Sequence, residues 1–414
     1  MSELLICNAR FIGDEQLYDI RIRHGKIIEI GQFSRMCKEE VKIIDATNQF
    51  LLPPFVESHI HLDTALTYGK PFVNHSGGLS EGISIWGQYQ RDYLNEEDVE
   101  LRAKSVIESM IEYGVLYMRS MVDITAYSQV GLHALLKVKE EVKDYFDLQL
   151  IAFPQLGLIH GNGVERLKEA ISLGVDGISC VPHLENTREE GIKSIQMCFQ
   201  IAKSEGKALH IFCDETDDAD SKFLEVVASL AIEHRLSEQV TVSHINALAY
   251  YNESYAQKVI SLVKRAHLHV VTAPLISSVV QGRLGEWPKS RGITRVKDLV
   301  EAGVNVACAH DDFLSPFYPL GTGSPLQAGY MFIHLAHMTG KDDFDKVLKM
   351  LTTNAARLLG LSNYGIDIGH PANLLIFPAK DAHDLLRRQP KPSYVIHNGR
   401  IVAQTIPEQT TLTL

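Results

Sequence analysis

The sequence has little cysteine, and the cysteines it has are scattered. Six of its 414 residues are cysteine, and no two of them stand in a Cys-x-x-Cys pair. This spacing excludes a zinc ribbon and a disulfide-stapled scaffold. Scattered thiols are typical of a reducing compartment, so we expect a cytoplasmic location. The six are Cys7, Cys37, Cys180, Cys198, Cys213 and Cys308.

A long apolar stretch and a basic run are also missing. No window of about 18 apolar residues occurs, and the first residues, MSELLICNARFIGDEQ, do not have the pattern of a signal peptide. The net charge is −11 at pH 7. We therefore expect no membrane association and no nucleic-acid partner.

Two motifs of other enzyme classes are absent as well. The combination of HxE with PCxxC that marks the zinc deaminases acting on nucleic-acid bases does not occur. A glycine-rich phosphate-binding loop does not occur either, so we expect no nucleotide cofactor.

Both ends of the chain are rich in short strand-like runs. Near the N-terminus these are LLICNARFI, DIRIRHGKIIEIG and VKIIDAT, and near the C-terminus NLLIFPA and SYVIHNGRIVAQ. The pairs His24-Gly25 and Asn398-Gly399 predict tight hairpin turns. We infer one small β-sandwich domain formed by residues 1–52 together with 366–414.

The middle of the chain, residues 53–365, repeats a short apolar run followed by a segment of helical period. Eight such runs occur, and they are apolar almost throughout, as a parallel sheet covered on both faces requires. The pattern predicts an α/β fold, a distorted (β/α)₈ barrel, with a doubly wound open sheet as the alternative. The runs are FVESHIH, VLYMRSMVDI, LQLIAFPQ, GISCVPH, ALHIFCDE, VTVSHI, HVVTAPL and NVACAHDD.

Polar residues stand at the ends of most of these runs. One alone would pass as a loop-edge residue, but in a barrel the carboxyl ends of all strands meet at one face, where active sites lie. We therefore expect these side chains to form one site. They are His59, His61, Gln155, His183, Glu215, His244, Asp311 and Asp312.

The types of these residues indicate metal-assisted hydrolysis. His59 and His61 stand two apart on a strand, so both imidazoles point inward, and paired imidazoles are common metal ligands. Asp311 adds a carboxylate. A metal ion activates water, Glu215 is the candidate for moving a proton to the leaving amine, and His244 and Asp311 are candidates for orienting the water.

The sequence resembles bacterial cytosine deaminase of the amidohydrolase superfamily over nearly its whole length. The stretches that carry the resemblance include PFVESHIHLDTALTYGKP, VPHLENTREEG, FCDETDD, VTVSHINA and HDDFLSPFYPLGT. The resemblance implies one divalent ion, Fe or Zn, held by His59, His61 and Asp311. It further implies that Glu215 shuttles protons, that His244 faces the water, and that Gln155 and Asp312 contact the substrate.

The chain departs from the family pattern at three positions. The fifth-strand histidine ligand is replaced by Phe212, a second-strand histidine by Met121, and a tryptophan by Phe317, which still offers a ring to the substrate. His210 lies two residues before Phe212, about 6.6 Å away along a strand. That distance predicts a hydrogen-bonded interior residue rather than a ligand, so we expect the metal to be weakly held.

These observations predict an enzyme that deaminates a small nitrogen heterocycle, a cytosine-like pyrimidine or an aminotriazine. Two alternatives stay open: a catalytically impaired protein that only binds a heterocycle, and a hydrolase of a cyclic amide or an N-alkyl C–N bond. The expected partner is a small heterocyclic substrate, and a homo-oligomer is left open.

Overall fold

The computed structural model describes residues 3–14, 16–33, 41–125, 129–407 and 410–413. Cys37 lies outside these residues, and the other five cysteines are buried. No helix in the described part of the chain is long and apolar enough to cross a membrane.

In the described part of the chain, sixteen strands form two sheets. In chain order they are β1 (Glu3–Arg10), β2 (Leu17–Arg23), β3 (Lys26–Gly31), β4 (Val41–Asp45), β5 (Phe50–Leu52), β6 (Phe55–Ile60), β7 (Val115–Asp123), β8 (Asp147–Phe153), β9 (Gly177–Ile178), β10 (Ala208–Cys213), β11 (Val240–His244), β12 (His269–Thr272), β13 (Asn305–Cys308), β14 (Leu374–Phe377), β15 (Tyr394–His397) and β16 (Arg400–Gln404).

Among the same described residues, thirteen α-helices and two short 3₁₀ helices, Pro182–Leu184 and Asn246–Tyr250, accompany the strands. The α-helices are α1 (Leu79–Asp92), α2 (Glu96–Glu112), α3 (Val130–Val142), α4 (Gly163–Leu173), α5 (Arg188–Glu205), α6 (Phe223–His234), α7 (Glu253–Arg265), α8 (Pro274–Val280), α9 (Val296–Glu301), α10 (Pro325–Ala336), α11 (Asp343–Leu351), α12 (Thr353–Leu359) and α13 (Ala382–Arg388).

The strands at the two ends of the chain share one sheet, in the order β16-β15-β14-β5-β1-β2-β3, with β4 beside β1. Ile20 of β2, Ile27 of β3 and Ile396 of β15 belong to one buried cluster although they come from opposite ends of this order. The sheet therefore curls on itself, which gives the predicted sandwich. The exact boundaries predicted for this domain, 1–52 with 366–414, stay a prediction.

The two predicted hairpin turns are present in this sheet. His24 and Gly25 join β2 to β3, and Asn398 and Gly399 join β15 to β16. All four residues have positive φ, between 47° and 77°. Two consecutive residues of positive φ are what a tight turn between right-twisted strands requires.

The second sheet is the barrel. Strands β6 to β13 lie side by side in chain order, and every neighbouring pair is parallel. A bridge between Ile60 and Asp311 joins the first strand to the chain just after the last one. Each of the eight predicted runs holds one of these strands, so the prediction of a barrel is confirmed and the open-sheet alternative is wrong.

Helix α1 lies at the mouth of the barrel and is fixed there by one carboxylate. The indole N–H of Trp86 and the side-chain amide of Gln90 both donate to Asp123 Oδ2, at 3.1 and 2.8 Å. Asp123 ends β7, and its own backbone N–H donates to Asp63 Oδ2 at 2.8 Å. The helix is thereby tied to the loops that follow the first two barrel strands.

A substitution at Gly191 in α5 would test how tightly this helix is packed against its neighbours. A Cβ added there would meet Pro182 O and a ring carbon of Phe223, both at 2.5 Å, and the Pro182 carbonyl belongs to the backbone. Gly191→Ala should lower the free energy of unfolding by about 1–3 kcal/mol through overpacking. Thermal unfolding checks this.

Gly87→Ala in α1 is the matched control, because the nearest atom there is the end of Arg91 at 3.7 Å. It should raise the free energy of unfolding by about 0.5–1 kcal/mol through helix propensity. A Gly191→Ala protein that melts at the wild-type temperature would contradict the packing described for α5.

Candidate active site

The barrel brings the predicted metal-binding side chains around Asp311. The Nε2 atoms of His59 and His244 both lie 3.6 Å from Asp311 Oδ2. The Nε2 atom of His61 lies 3.7 Å from the other oxygen, Oδ1. All four side chains are at least nine-tenths buried. The prediction that the strand ends converge on one site is therefore correct for these four residues.

The contact between the first and eighth strands holds two of these residues in place. The backbone N–H of Asp311 donates to His59 O at 2.9 Å. The Glu57 carboxyl, buried below them, accepts from the backbone N–H of His59 at 3.1 Å and from that of His310 at 3.1 and 3.2 Å. Where the first and eighth strands meet and close the barrel, the Glu57 carboxyl thus takes the place of backbone hydrogen bonds between strands.

Burial sets the charges of the cluster. It lowers the pKa of His61 and of His244 to about 3, and it holds the pKa of His59 well below the usual range. Neutral imidazole is the form of histidine that binds metal. Burial, and then the nearby carboxyls of Asp312 and Glu215, raise the pKa of Asp311 well above its ordinary value.

The cluster fits a divalent cation. His59 Nε2, both ring nitrogens of His244 and Asp311 Oδ2 are buried and have no hydrogen-bond partner. One ligand atom from each of His59, His244 and Asp311 can be chosen so that all three lie within 4.8 Å of one another. Buried polar atoms without partners are costly, and one metal ion would satisfy His59 Nε2, Asp311 Oδ2 and one nitrogen of His244 together. His244, predicted only to face the water, is thus placed among the candidate ligands.

The ring of Phe212 packs against three imidazoles of this cluster. Its ring centroid lies 4.8 Å from that of His59, 5.3 Å from that of His244 and 5.7 Å from that of His61. It also stacks on Phe153 at 4.1 Å. Phe212, Phe153 and Met121 share one buried apolar cluster, so two departures from the family pattern lie together.

Glu215 and Asp312 flank the cluster on its open side. Glu215 Oε1 lies 3.7 Å from His244 Nδ1. Burial, with a smaller contribution from Asp312, raises the pKa of Glu215 to about 8. Asp312 Oδ1 accepts from Ser315 Oγ at 2.6 Å and from Thr64 Oγ1 at 3.4 Å, and burial raises its pKa to about 6.

A small cavity of about 40 Å³ opens beside these groups. Every polar residue predicted to touch the substrate lines it: Gln155, Asp312 and Glu215, with Phe317 on the wall. The remaining wall is apolar or aromatic, apart from His61, His183, His244 and Asp311, and consists of Leu79, Ile83, Phe153, Val181, Leu184, Phe212 and Ile276.

The sequence profile described as "Amidohydrolase family" matches residues 108–403 of the chain. This match covers more than half of the sequence. The chain belongs to the amidohydrolase family.

Relatives with known names support the same assignment. A crystal structure of 5-methylcytosine deaminase from Klebsiella pneumoniae, liganded with 5-fluorocytosine, is 40% identical with a TM-score of 0.95 and 99% of both chains covered. N-isopropylammelide isopropyl amidohydrolase from Pseudomonas sp. (strain ADP) is 26% identical, with 97% of both chains covered. Pterin deaminase from Rhizobium rhizogenes is 24% identical over 95% of this chain and 90% of its own length.

These findings confirm the predicted likeness to cytosine deaminase and the prediction of an enzyme that hydrolyses C–N bonds of heterocycles. Members of this family depend on a metal. The present chain has a candidate site for one at His59, His244 and Asp311. The assignment of each predicted site residue to a role stays a proposal.

The apolar wall of the cavity was not predicted from the sequence. Leu79 and Ile83 come from α1, where they stand four residues apart and so share a helix face. Ile276 lies on α8. The long segment between the first two barrel strands is a signal for an inserted helix. Which face of that helix meets the site depends on its hydrogen bonds to Asp123, and the sequence does not contain this information.

Phe212 can be tested by restoring a ligand at its position. Phe212→His should lower the dissociation constant for Zn²⁺ at least roughly tenfold, since an added ligand needs to contribute only about 1.4 kcal/mol for that change. Competition with a chromophoric chelator measures it.

Phe212→Leu is the matched control, because it removes the ring and adds no donor atom. It should leave the dissociation constant near the wild-type value. Equal affinities in all three proteins would show that position 212 does not reach the metal.

Proposed function

We propose that the enzyme releases ammonia from a cytosine-like pyrimidine or an aminotriazine. The observation that carries this proposal is the 40% identity, over 99% of both chains, to a 5-methylcytosine deaminase liganded with 5-fluorocytosine. The cavity supports it, because amide and carboxyl groups line it together with the ring of Phe317. A planar heterocycle has matching polar edges and apolar faces.

The proposed metal set is one divalent ion, Fe or Zn, held by His59, His61 and Asp311, with His244 as a further candidate. When bound, such an ion supplies the Lewis acidity that makes water a nucleophile near neutral pH. The imidazoles contribute as neutral donors because burial holds their pKa values low. The expected weak binding follows from Phe212, which adds no donor atom.

Glu215 is proposed as the group that moves protons. Burial raises the pKa of Glu215 to about 8, and a carboxyl whose pKa is raised in this way can take a proton from water and pass it to a departing amine. His244 stands 3.7 Å from Glu215 and can orient the water from which that proton comes. Asp312, fixed by Ser315 and Thr64, faces the ring of the substrate.

The cavity favours a free base over a nucleoside. A volume of about 40 Å³ holds only a few water molecules, so a base fits only with limited adjustment of the wall. Leu79 and Ile83 of α1 narrow the cavity on one side, and Leu184 and Ile276 also line it. Apolar groups there suit a methyl or halogen on the ring better than a ribose, which would leave its hydroxyl groups unpaired.

A second candidate function is removal of an N-alkyl amine from a triazine. It is favoured by the 26% identity, over 97% of both chains, to N-isopropylammelide isopropyl amidohydrolase. Assays of cytosine, 5-methylcytosine and N-isopropylammelide for ammonia and isopropylamine distinguish the two. Release of neither amine by the metal-loaded enzyme would contradict both. A cytoplasmic location stays a prediction from the sequence, which leaves the oligomeric state open.

Glu215→Gln tests the proton carrier. It should lower kcat at least about 100-fold, the usual contribution of a positioned acid–base group, and change KM far less. Asp218→Asn, an exposed carboxylate in the same loop, is the control and should keep the wild-type kcat. A Glu215→Gln enzyme with near-normal kcat would show that another group carries the proton.

Gln155→Ala tests recognition of the ring. The amide of Gln155 can both donate to and accept from an N–C=O edge, and losing it leaves partner atoms unpaired at a cost of about 1–3 kcal/mol. The inhibition constant of a cytosine analogue should rise roughly tenfold or more. Gln257→Ala, on the outer helix α7, should leave it unchanged, and an unchanged value in Gln155→Ala would place the substrate elsewhere.

A further inference from the structure

His210 lies directly behind one of the candidate metal ligands. It is fully buried on β10, and its Nε2 atom is 3.0 Å from His59 Nδ1. His210 is not part of the group of His59, His244 and Asp311 that could share an ion among the described residues. The histidine two residues before Phe212 therefore contacts the far side of a ligand rather than the metal position.

This hydrogen bond decides which nitrogen of His59 is available. A neutral imidazole carries a hydrogen on one nitrogen and a lone pair on the other. If His59 Nδ1 donates to His210, the lone pair stands on His59 Nε2, which faces Asp311 Oδ2 at 3.6 Å. We propose, resting on the metal-dependent function above, that His210 is a positioning residue that accepts from His59 Nδ1 and so presents His59 Nε2 to the metal.

A metal ion at His59 Nε2 requires the acceptor role, because a lone pair on that nitrogen leaves the hydrogen of His59 on Nδ1. The buried Arg119 guanidinium lies near, but its N–H groups donate to Gln149 Oε1 at 2.8 and 3.1 Å and more weakly to Leu358 O at 3.4 Å. A further contact joins Arg119 to Thr241 Oγ1 at 3.5 Å, and none of these hydrogen bonds is to His210. His59 Nδ1, at 3.0 Å, lies within hydrogen-bond distance of His210 Nε2.

His59 is then fixed at two points. Its backbone N–H donates to Glu57 Oε1 at 3.1 Å, and its ring contacts His210. Ligands held by a second hydrogen bond bind metal more tightly, because less freedom is lost when the ion binds, and removing such a partner costs about 10–100-fold in affinity. His210 thus compensates in part for the ligand that Phe212 does not supply.

The test is a set of zinc dissociation constants measured by chelator competition on the full chain. His210→Leu should weaken binding by about 10–100-fold. His210→Gln, whose side-chain oxygen can still accept from His59 Nδ1, should recover most of the wild-type affinity. His269→Leu is the matched control: it removes a buried histidine at the start of β12, and affinity should stay at the wild-type value.

The outcomes separate this role from the function on which it rests. Equal affinity in His210→Leu and the wild type, or equal weakening in His210→Gln and His210→Leu, overturns the positioning role alone. A wild-type chain that binds no divalent ion overturns the proposed function and this role with it. Should His210→Leu fail to fold, long-range ¹H–¹⁵N spectra of the zinc-loaded wild type decide: hydrogen on His59 Nδ1 supports the role, and its absence there overturns it.

Discussion

The site depends on a carboxylate and several neutral imidazoles that are buried together, with several of their polar atoms lacking a hydrogen-bond partner among the described residues. Asp311 Oδ2, His59 Nε2 and both nitrogens of His244 have none, and each such atom costs free energy away from water. The imidazoles cannot resolve this by taking up protons, because burial holds their pKa values low. A divalent cation would satisfy Asp311 Oδ2, His59 Nε2 and one nitrogen of His244 at once, which is why the cluster fits a metal site.

The barrel holds this arrangement at its seam. Strands β6 and β13 do not share a regular ladder, and the Ile60–Asp311 bridge and the Glu57 carboxyl join them instead. Asp311 has a φ of 71° in the left-handed region, which is strained for residues other than glycine. Such strain persists only where surrounding contacts over-determine the backbone, and here those contacts fix the residue that the imidazoles surround.

Sequence periodicity predicted much of this, and its limits have a physical cause. Alternation along a strand places His59 inward, and the common end of parallel strands brings Asp311 to the same face. The position of His210 behind His59 depends on the stagger between β6 and β10, which are not neighbours in the barrel, and no one-dimensional pattern contains it. The wall built by Leu79 depends likewise on how Asp123 anchors α1. Tertiary packing, rather than the local sequence, sets both positions.

The departures from the family pattern are coupled in space. Met121 and Phe212 replace histidines at separate positions in the chain, yet both pack with Phe153 in one apolar cluster beside the metal-facing imidazoles. A drier environment strengthens every electrostatic interaction within it, so the remaining donors act on a bound cation with less screening. The site thus has fewer ligands but a less polar environment, and the hydrogen bond from His59 to His210 fixes the orientation of one remaining ligand. These features are compatible with one another. The bond to the metal that a histidine at position 212 would make is absent, and the remaining ligands are instead held in place before the ion binds.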